Sequence, residues 1–392
     1  VAIPIVRLKR GKARPFWHGN PIVFSGAIAS EEGKPRPGDW VEVRDDEDRS
    51  VGHGFYNPAS SYRVRLVRLA REERLPDSPE GVIKARLQSA AALRGDLGLP
   101  GDDTNSYRLV NSEGDGLSGL TVEVFGDVAV IQASALWVGS HRQAIEAGIR
   151  DVLGVETRMV HRVSASVARQ EGMKADLPAE SGESVTVREL GLTYRVEPWR
   201  GQKTGFYLDQ RENRQRVRNL ARNRRVLDLF CFQGAFSLNA AAGGATEVVG
   251  VDSSRPALDL AAQNAANNGA GQVRFELGDA IAFASSAGTW DLVICDPPRL
   301  AGGRADLESA VPRYVRVNRA AIDAVAPGGF LVTCSCSSVV RRDLFLEIVR
   351  DAAAQAGRRA SVLEVSGAGR DHPVHAAYPE GEYLKCVTAR LD

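Results

Sequence analysis

The feature that most constrains this 392-residue chain is a series of short apolar strands, each followed by an acid, beginning near residue 225. Arg225-Val226-Leu227-Asp228-Leu229-Phe230 runs into Cys231-Phe232-Gln233-Gly234-Ala235-Phe236, which reads as strand, tight turn and helix N-terminus. Asp252 ends a second strand 24 residues after Asp228, Asp279 follows a third, and Asp296-Pro297-Pro298 follows a fourth. Strands expected at 225–230, 246–251, 272–277, 291–295 and 329–334, with helices between them, predict a doubly wound parallel α/β sheet. Tyr383 to Ala389 is a candidate final strand. Such sheets bind ligands beyond the carboxyl ends of their strands.

The turn after Asp228 lacks the GxGxxG that brings backbone against a pyrophosphate, which argues against a nicotinamide dinucleotide. S-adenosylmethionine carries no phosphate and removes that requirement. Asp228 is then placed to attract its sulfonium and amino group, Asp252 to bind ribose hydroxyls, and Asp279 to meet the adenine amino group. Phe230, Gly234, Ser253, Ala280 and Asp296 lie beside them. One such acid alone is commonly a strand-end cap. Four in succession make S-adenosylmethionine the expected cofactor, on a Rossmann-like class I methyltransferase sheet.

The length suggests more than one domain, because single cores usually stop growing near ~250–300 residues. Three are expected: 1–72, a small β-barrel; 73–185, a central α+β segment; and 186–392, the catalytic sheet. No apolar run approaches the ~20 residues of a membrane span, and the opening residues are too short for a secretory core. A cytoplasmic protein is expected. Its five cysteines are too few for a disulfide scaffold, and none forms paired CxxC motifs, so no metal is expected.

Net charge is +1, but residues 1–70 hold 12 Lys/Arg against 8 Asp/Glu. Strand candidates there include Trp40 to Val43, Val51 to Tyr56 and Tyr62 to Val67. In the last, Arg63 and Arg65 share one face and Val64 and Leu66 the other. With Lys9 and Arg10, that face would suit phosphate contacts. A second basic run extends from Arg211 to Arg225. Each run could equally be a solvated face. The segment resembles a PUA domain, an RNA-binding module, at Trp17-His18, Val23-Phe24-Ser25-Gly26-Ala27-Ile28 and Gly54-Phe55-Tyr56-Asn57-Pro58; Ile22 stands where tryptophan is expected. The acidic loop Asn111 to Leu120 reads as structural.

Leu331-Val332-Thr333-Cys334-Ser335-Cys336-Ser337 places thiols at the end of the fifth strand, beside Asp296. C5 of cytosine is a poor nucleophile until something adds at C6, and a thiolate can do so. Cys336 is the expected nucleophile, with Cys334 the alternative, and Asp296 the group hydrogen-bonding the base. Cys231, Cys295 and Cys386 read as buried apolar residues. A flipped base needs an apolar wall; Phe206, Tyr207 and Arg299 are candidates, with Pro297 and Pro298 adjacent. His372 and His375 read as surface or packing residues, with His372 also able to approach the base.

End to end, the chain resembles the bacterial large-subunit rRNA cytosine-C5 methyltransferases with an N-terminal PUA domain. The matching pieces are Val110-Asn111-Ser112-Glu113-Gly114-Asp115-Gly116-Leu117, Gly201-Gln202-Lys203-Thr204-Gly205-Phe206-Tyr207-Leu208-Asp209-Gln210-Arg211, Asp296-Pro297-Pro298, Ser335-Cys336-Ser337, Asp371-His372-Pro373 and Tyr378-Pro379-Glu380-Gly381. Departures are Leu300, Cys334 and Ser338. The resemblance implies a nucleophile at Cys336, cofactor contacts at Gln202, Thr204, Phe206, Asp209 and Arg211, and 23S rRNA as partner. No DNA or membrane partner is expected, and a homodimer is left open. The competing readings are an RNA methyltransferase acting on a base nitrogen, without an adduct, and a non-catalytic RNA-binding assembly factor.

Overall fold

A computed structural model describes residues 3–176, 184–199 and 205–392. The chain forms two compact units: Val1–Val185, Val196–Gly205 and Arg370–Gly381 in the first, and Thr186–Arg195, Phe206–Gly369 and Glu382–Asp392 in the second. Among the described residues, no helix is long and apolar enough to cross a membrane.

The first unit opens with β1 (Ile5–Leu8), a short helix α1 (Arg14–Trp17), β2 (Ile22–Phe24), β3 (Ile28–Glu32), β4 (Trp40–Arg44), β5 (Ser50–Tyr56) and β6 (Tyr62–Leu69). These strands form one curled sheet in the order β2-β6-β5-β4-β1-β3. Its core is made by the residues that alternate inward, among them Val6, Leu8, Val41, Val43, Val64 and Leu66.

β6 does not have a solvent face. Its opposite side, with Val67, joins a second core shared with the next segment. That segment comprises α2 (Pro79–Asp96), β7 (Ser106–Asn111), β8 (Leu120–Phe125), β9 (Val128–Ala133), α3 (Leu136–Ser140), α4 (Arg142–Leu153), β10 (Arg158–Arg162) and α5 (Ala165–Glu171). Its sheet runs β10-β9-β8-β7. Helix α2 starts where the sequence supplies Ser78-Pro79, the serine hydroxyl accepting from the Gly81 amide at 3.2 Å. The acidic loop proves structural: Asp115 pairs with the buried Arg94 at 2.5 Å. A side chain at Gly114 would lie 1.9 Å from the Pro373 carbonyl oxygen, so only glycine fits.

A hairpin, β11 (Val185–Glu189) and β12 (Leu192–Val196), precedes a seven-stranded sheet. The strands of that sheet are β13 (Arg225–Leu229), β14 (Glu247–Asp252), β15 (Val273–Leu277), β16 (Trp290–Cys295), β17 (Val325–Ser335), β18 (Ala360–Ser366) and β19 (Lys385–Leu391). Their order is β15-β14-β13-β16-β17-β19-β18, with β13 to β17 parallel and β19 antiparallel to both neighbours. The order reverses between β13 and β16, which makes that crevice the ligand-binding switch point. Helices α6 (Arg211–Leu220), α7 (Ala235–Ala242), α8 (Arg255–Asn267), α9 (Ala280–Ser286), α10 (Leu307–Asp323) and α11 (Arg342–Gln355) are distributed along this part of the chain.

Candidate active site

The turn leaving β13 is held in an unusual backbone state. Phe230, Phe232 and Gly234 all have positive φ (63°, 49° and 76°), a conformation costly for aromatic residues and found where a site requires it. Gly234 has no room for more: a Cβ there would lie 2.7 Å from the Phe275 ring. Asp252, ending β14, holds the turn by accepting from the Phe232 amide at 2.9 Å, and its other oxygen accepts from Ser254 at 2.9 Å.

Asp228 is fully buried. One carboxylate oxygen accepts from the Ser237 amide and hydroxyl at 3.0 and 2.6 Å. The other is buried with no hydrogen-bond partner among the described residues, as is Oε1 of Gln233 in the same turn. Unsatisfied buried acceptors beside a strained turn are what a seat for a cationic, hydrogen-donating ligand requires. Burial pushes the Asp228 pKa up to about 7, against the Ser237 hydrogen bonds, and the charges of Asp296 and Asp252 add to the rise.

That shift has a consequence for the ligand-free protein. A carboxyl whose folded pKa is raised stabilises the fold fully below its unfolded pKa, and this contribution is lost as pH rises through about 7. Asp228→Asn is therefore expected to raise the melting temperature of the ligand-free protein at pH 8 and to change it little at pH 4. Calorimetry showing no gain at pH 8 would contradict this.

Asp279 is exposed at the start of α9, where it caps the helix by accepting from the Ala282 amide at 2.8 Å. Ala280 is buried behind it and Ser253 is exposed after β14. Asp296 leaves β16 half-buried and accepts from Nε2 of Gln210 at 3.0 Å. Gln210 is itself fixed by Asn213, which donates to its carbonyl oxygen at 2.6 Å. Asp209 accepts from the Tyr383 hydroxyl at 2.7 Å. Gln210, Asn213 and Tyr383 were not singled out individually from the sequence, because amides and lone tyrosines carry no spacing signal.

Cysteines separate sharply by burial. Cys336 is half-exposed, whereas Cys231, Cys295, Cys334 and Cys386 are buried. Cys334 faces Cys386 across the β17–β19 ladder; the hydrogen bond between them and burial both raise its pKa. Burial pushes Cys295 up to about 12. Serines on either side of Cys336 are clamped by one hydroxyl: Ser335 donates to the Tyr314 oxygen at 3.1 Å, and that oxygen lies 2.9 Å from Oγ of Ser337.

Several expected site residues are occupied elsewhere. Phe206 is buried against Tyr194, 4.9 Å between ring centroids, and under the Arg214 guanidinium, where it packs the fold. Arg65 is 6% exposed and bonded to Glu171, Ser118 and the Ser134 carbonyl, so it is not a phosphate contact. Its alternation implied solvent, but the segment after β6 covers that face. Arg63 donates to the Pro58 carbonyl, while Lys9 and Arg10 stay exposed. Arg299 folds back on the Ala301 and Gly302 carbonyls beside a buried Pro297 and an exposed Pro298. Tyr207 stands edge-on to Phe232, 5.3 Å between centroids. Arg211 is buried and pairs with Glu212. In the second basic run Arg214 is buried on Glu189, whereas Arg216 and Arg225 form surface ion pairs with Glu364 and Glu247. His372 is not a surface residue; it is buried, with Nδ1 2.9 Å from Asp371. Gln202 and Thr204 lie outside the described residues.

A parallel sheet with this strand order, and acids at successive strand ends around a ligand seat, define a class I S-adenosylmethionine-dependent methyltransferase. The S-adenosylmethionine-dependent methyltransferase family model matches residues 154–363, and a PUA-like domain model matches residues 6–68. The chain is 37% identical to ribosomal RNA large subunit methyltransferase I of Alteromonas mediterranea over 395 residues, covering 98% of each protein. It is 36% identical to the same enzyme of Aeromonas salmonicida, again with 98% of each covered. The chain belongs to the ribosomal RNA large subunit methyltransferase I family. A crystallised methyltransferase complexed with SAH shares the fold, with a TM-score of 0.83, 20% identity, and coverage of 99% of this chain and 100% of that one.

Proposed function

We propose that this protein methylates C5 of a cytosine in large-subunit ribosomal RNA, with Cys336 as nucleophile, in the cytoplasm. The observation that carries this reading is the half-exposed thiol of Cys336 just beyond the end of β17, the parallel neighbour of the strand that delivers Asp296, while the other four cysteines are buried. The names of its relatives supply the substrate class.

Asp228, Asp252, Asp279 and the Phe230–Gly234 turn would hold the cofactor, with Ser253, Ala280, Asp209 and Arg211 around them. When bound, S-adenosylmethionine supplies an electrophilic methyl group to the base. The residues of this chain prepare the base to accept it. The Cys336 thiolate forms a bond to C6, and the C5–C6 π electrons move onto C5 and toward N3. Asp296, oriented by Gln210, hydrogen-bonds N3 and the exocyclic amine and can place a proton on N3 as charge builds there. After methylation a base removes the C5 proton, the electron pair reforms the C5–C6 double bond, the sulfur leaves as thiolate, and N3 returns its proton to Asp296. Residues 1–72, with the exposed Lys9 and Arg10, are assigned to RNA binding, residues 73–185 to a central segment and residues 186–392 to catalysis.

RNA carrying 5-fluorocytosine tests the reading, because fluorine cannot be removed as a proton and the adduct cannot resolve. A covalent RNA–protein band on a denaturing gel is expected. Methyl transfer to unmodified RNA without any such band would instead favour a nitrogen-methylating enzyme.

A further inference from the structure

Lys385 is 1% exposed on β19, with its ammonium inside the fold. It lies opposite Ser335 in the β17–β19 register. Its Nζ donates to the Ser337 carbonyl at 2.7 Å and to the Tyr383 carbonyl at 2.8 Å. The residue between Ser335 and Ser337 is Cys336. The lysine is thus tied to the backbone on both sides of Cys336, by its register with Ser335 and its hydrogen bond to the Ser337 carbonyl. Among the described residues both hydrogen-bond partners are neutral carbonyls, and a buried ammonium is costly unless an anion compensates it.

Among the described residues, the surrounding titratable groups leave one good counter-charge. Glu382 on the lysine's own segment is exposed and screened by solvent. From β17 and β19 come the buried Cys334 and Cys386 thiols; from α10 comes the Tyr314 hydroxyl; Asp296, at the end of β16, acts on Cys334. We propose that Lys385 is a positioning residue whose buried ammonium keeps the Cys336 sulfur in its anionic, nucleophilic form and holds the Ser-Cys-Ser turn in place. Burial lowers the Lys385 pKa to about 8, and Cys336 acts in the opposite direction. The ammonium therefore survives at neutral pH, and an attraction that favours the charged lysine favours the thiolate equally. The inference rests on Cys336 being the nucleophile for its use, but not for its test.

The test is alkylation of Cys336 by iodoacetamide in the full-length, ligand-free protein, followed by peptide mass spectrometry from pH 6 to 9.5. The other four cysteines are buried and serve as internal references. In the wild type the rate midpoint should fall below the ordinary thiol value of ~8.5. Lys385→Gln, which keeps a donor for the Ser337 carbonyl but not the charge, should raise the midpoint by about one unit. The alkylation rate at pH 7 should fall by about tenfold, a unit shift being tenfold in thiolate. Lys385→Arg should stay close to wild type. A folded Lys385→Gln with the wild-type profile overturns the proposal. So does a wild-type midpoint at or above ~8.5, a result that needs no variant to fold. The two readings fail separately. A Lys385-dependent profile without a 5-fluorocytosine adduct keeps the ion pair and rejects the nucleophile. An adduct with a Lys385-independent profile does the reverse.

Discussion

Cys336→Ala is expected to abolish methyl transfer, by roughly four orders of magnitude or more, and to remove the 5-fluorocytosine adduct entirely. Attack at C6 has no substitute nucleophile, since the nearest thiol, Cys334, is buried and faces Cys386 across the ladder. Cofactor affinity and folding should survive, because a half-exposed side chain at a strand end costs little when trimmed, within about 1 kcal/mol. Calorimetry and cofactor titration check that part, and a radiolabelled methyl assay checks the first. Cys334→Ala should keep most activity. Its accumulating a stable RNA–protein adduct with unmodified RNA would instead give Cys334 a part in product release. Full activity without Cys336 would end the C5 reading and leave methylation at nitrogen.

A second large effect is expected far from any reacting atom. Arg214 and Glu189 are 2% and 0% exposed and joined by two hydrogen bonds of 2.7 Å. Arg214 also donates to the Tyr207 carbonyl at 2.8 Å and covers the Phe206 ring. Glu189→Ala would leave a buried guanidinium without its anion, which typically costs 3–5 kcal/mol. For a domain of this size that corresponds to a fall in melting temperature of about 6–20 °C. The double variant Glu189→Leu/Arg214→Met should recover most of the loss, because an apolar pair of similar volume needs no counter-charge. A single variant melting within about 2 °C of wild type would show that the pair contributes little. The contrast with Cys336→Ala is useful: one substitution removes chemistry and spares the fold, the other does the opposite.

Burial of Arg65 and Arg214, one in each arginine-rich segment, shows where sequence reasoning loses its hold. Alternation in β6 correctly separated Val64 and Leu66 from Arg63 and Arg65, but alternation cannot tell solvent from a second core. Arg65 lies against Glu171, over a hundred residues later, and that pairing depends on how the chain returns. The basic run from Arg211 divides for the same reason: Arg214 is buried while Arg216 and Arg225 stay at the surface, and their partners Glu189, Glu364 and Glu247 come from three separate strands. Strands β1, β2, β3, β7 and β18 also went unmarked. Several are short, and no residue of β18 is fully buried, so its apolar pattern is weak.

What the sequence by itself determined is the part of the protein with local rules. The parallel strands β13 to β17, the acids at their ends, the turn at Gly234 and the Ser-Cys-Ser element all follow from short-range periodicity and spacing, and the structure places strands within a few residues of each expected position. The strand that carries Lys385 was legible too, but not the lysine's place beside Cys336. Tertiary structure alone decided which polar groups are spent on the fold and which are left over. It committed Phe206 and Arg65 to packing and ion pairing, left one oxygen of Asp228 without a hydrogen-bond partner among the described residues, and joined the Ser-Cys-Ser turn to Tyr314 and Lys385. The physical reason is that charge and hydrogen-bond satisfaction are settled between residues distant in sequence, in a low-dielectric interior that exists only once the chain has closed around it.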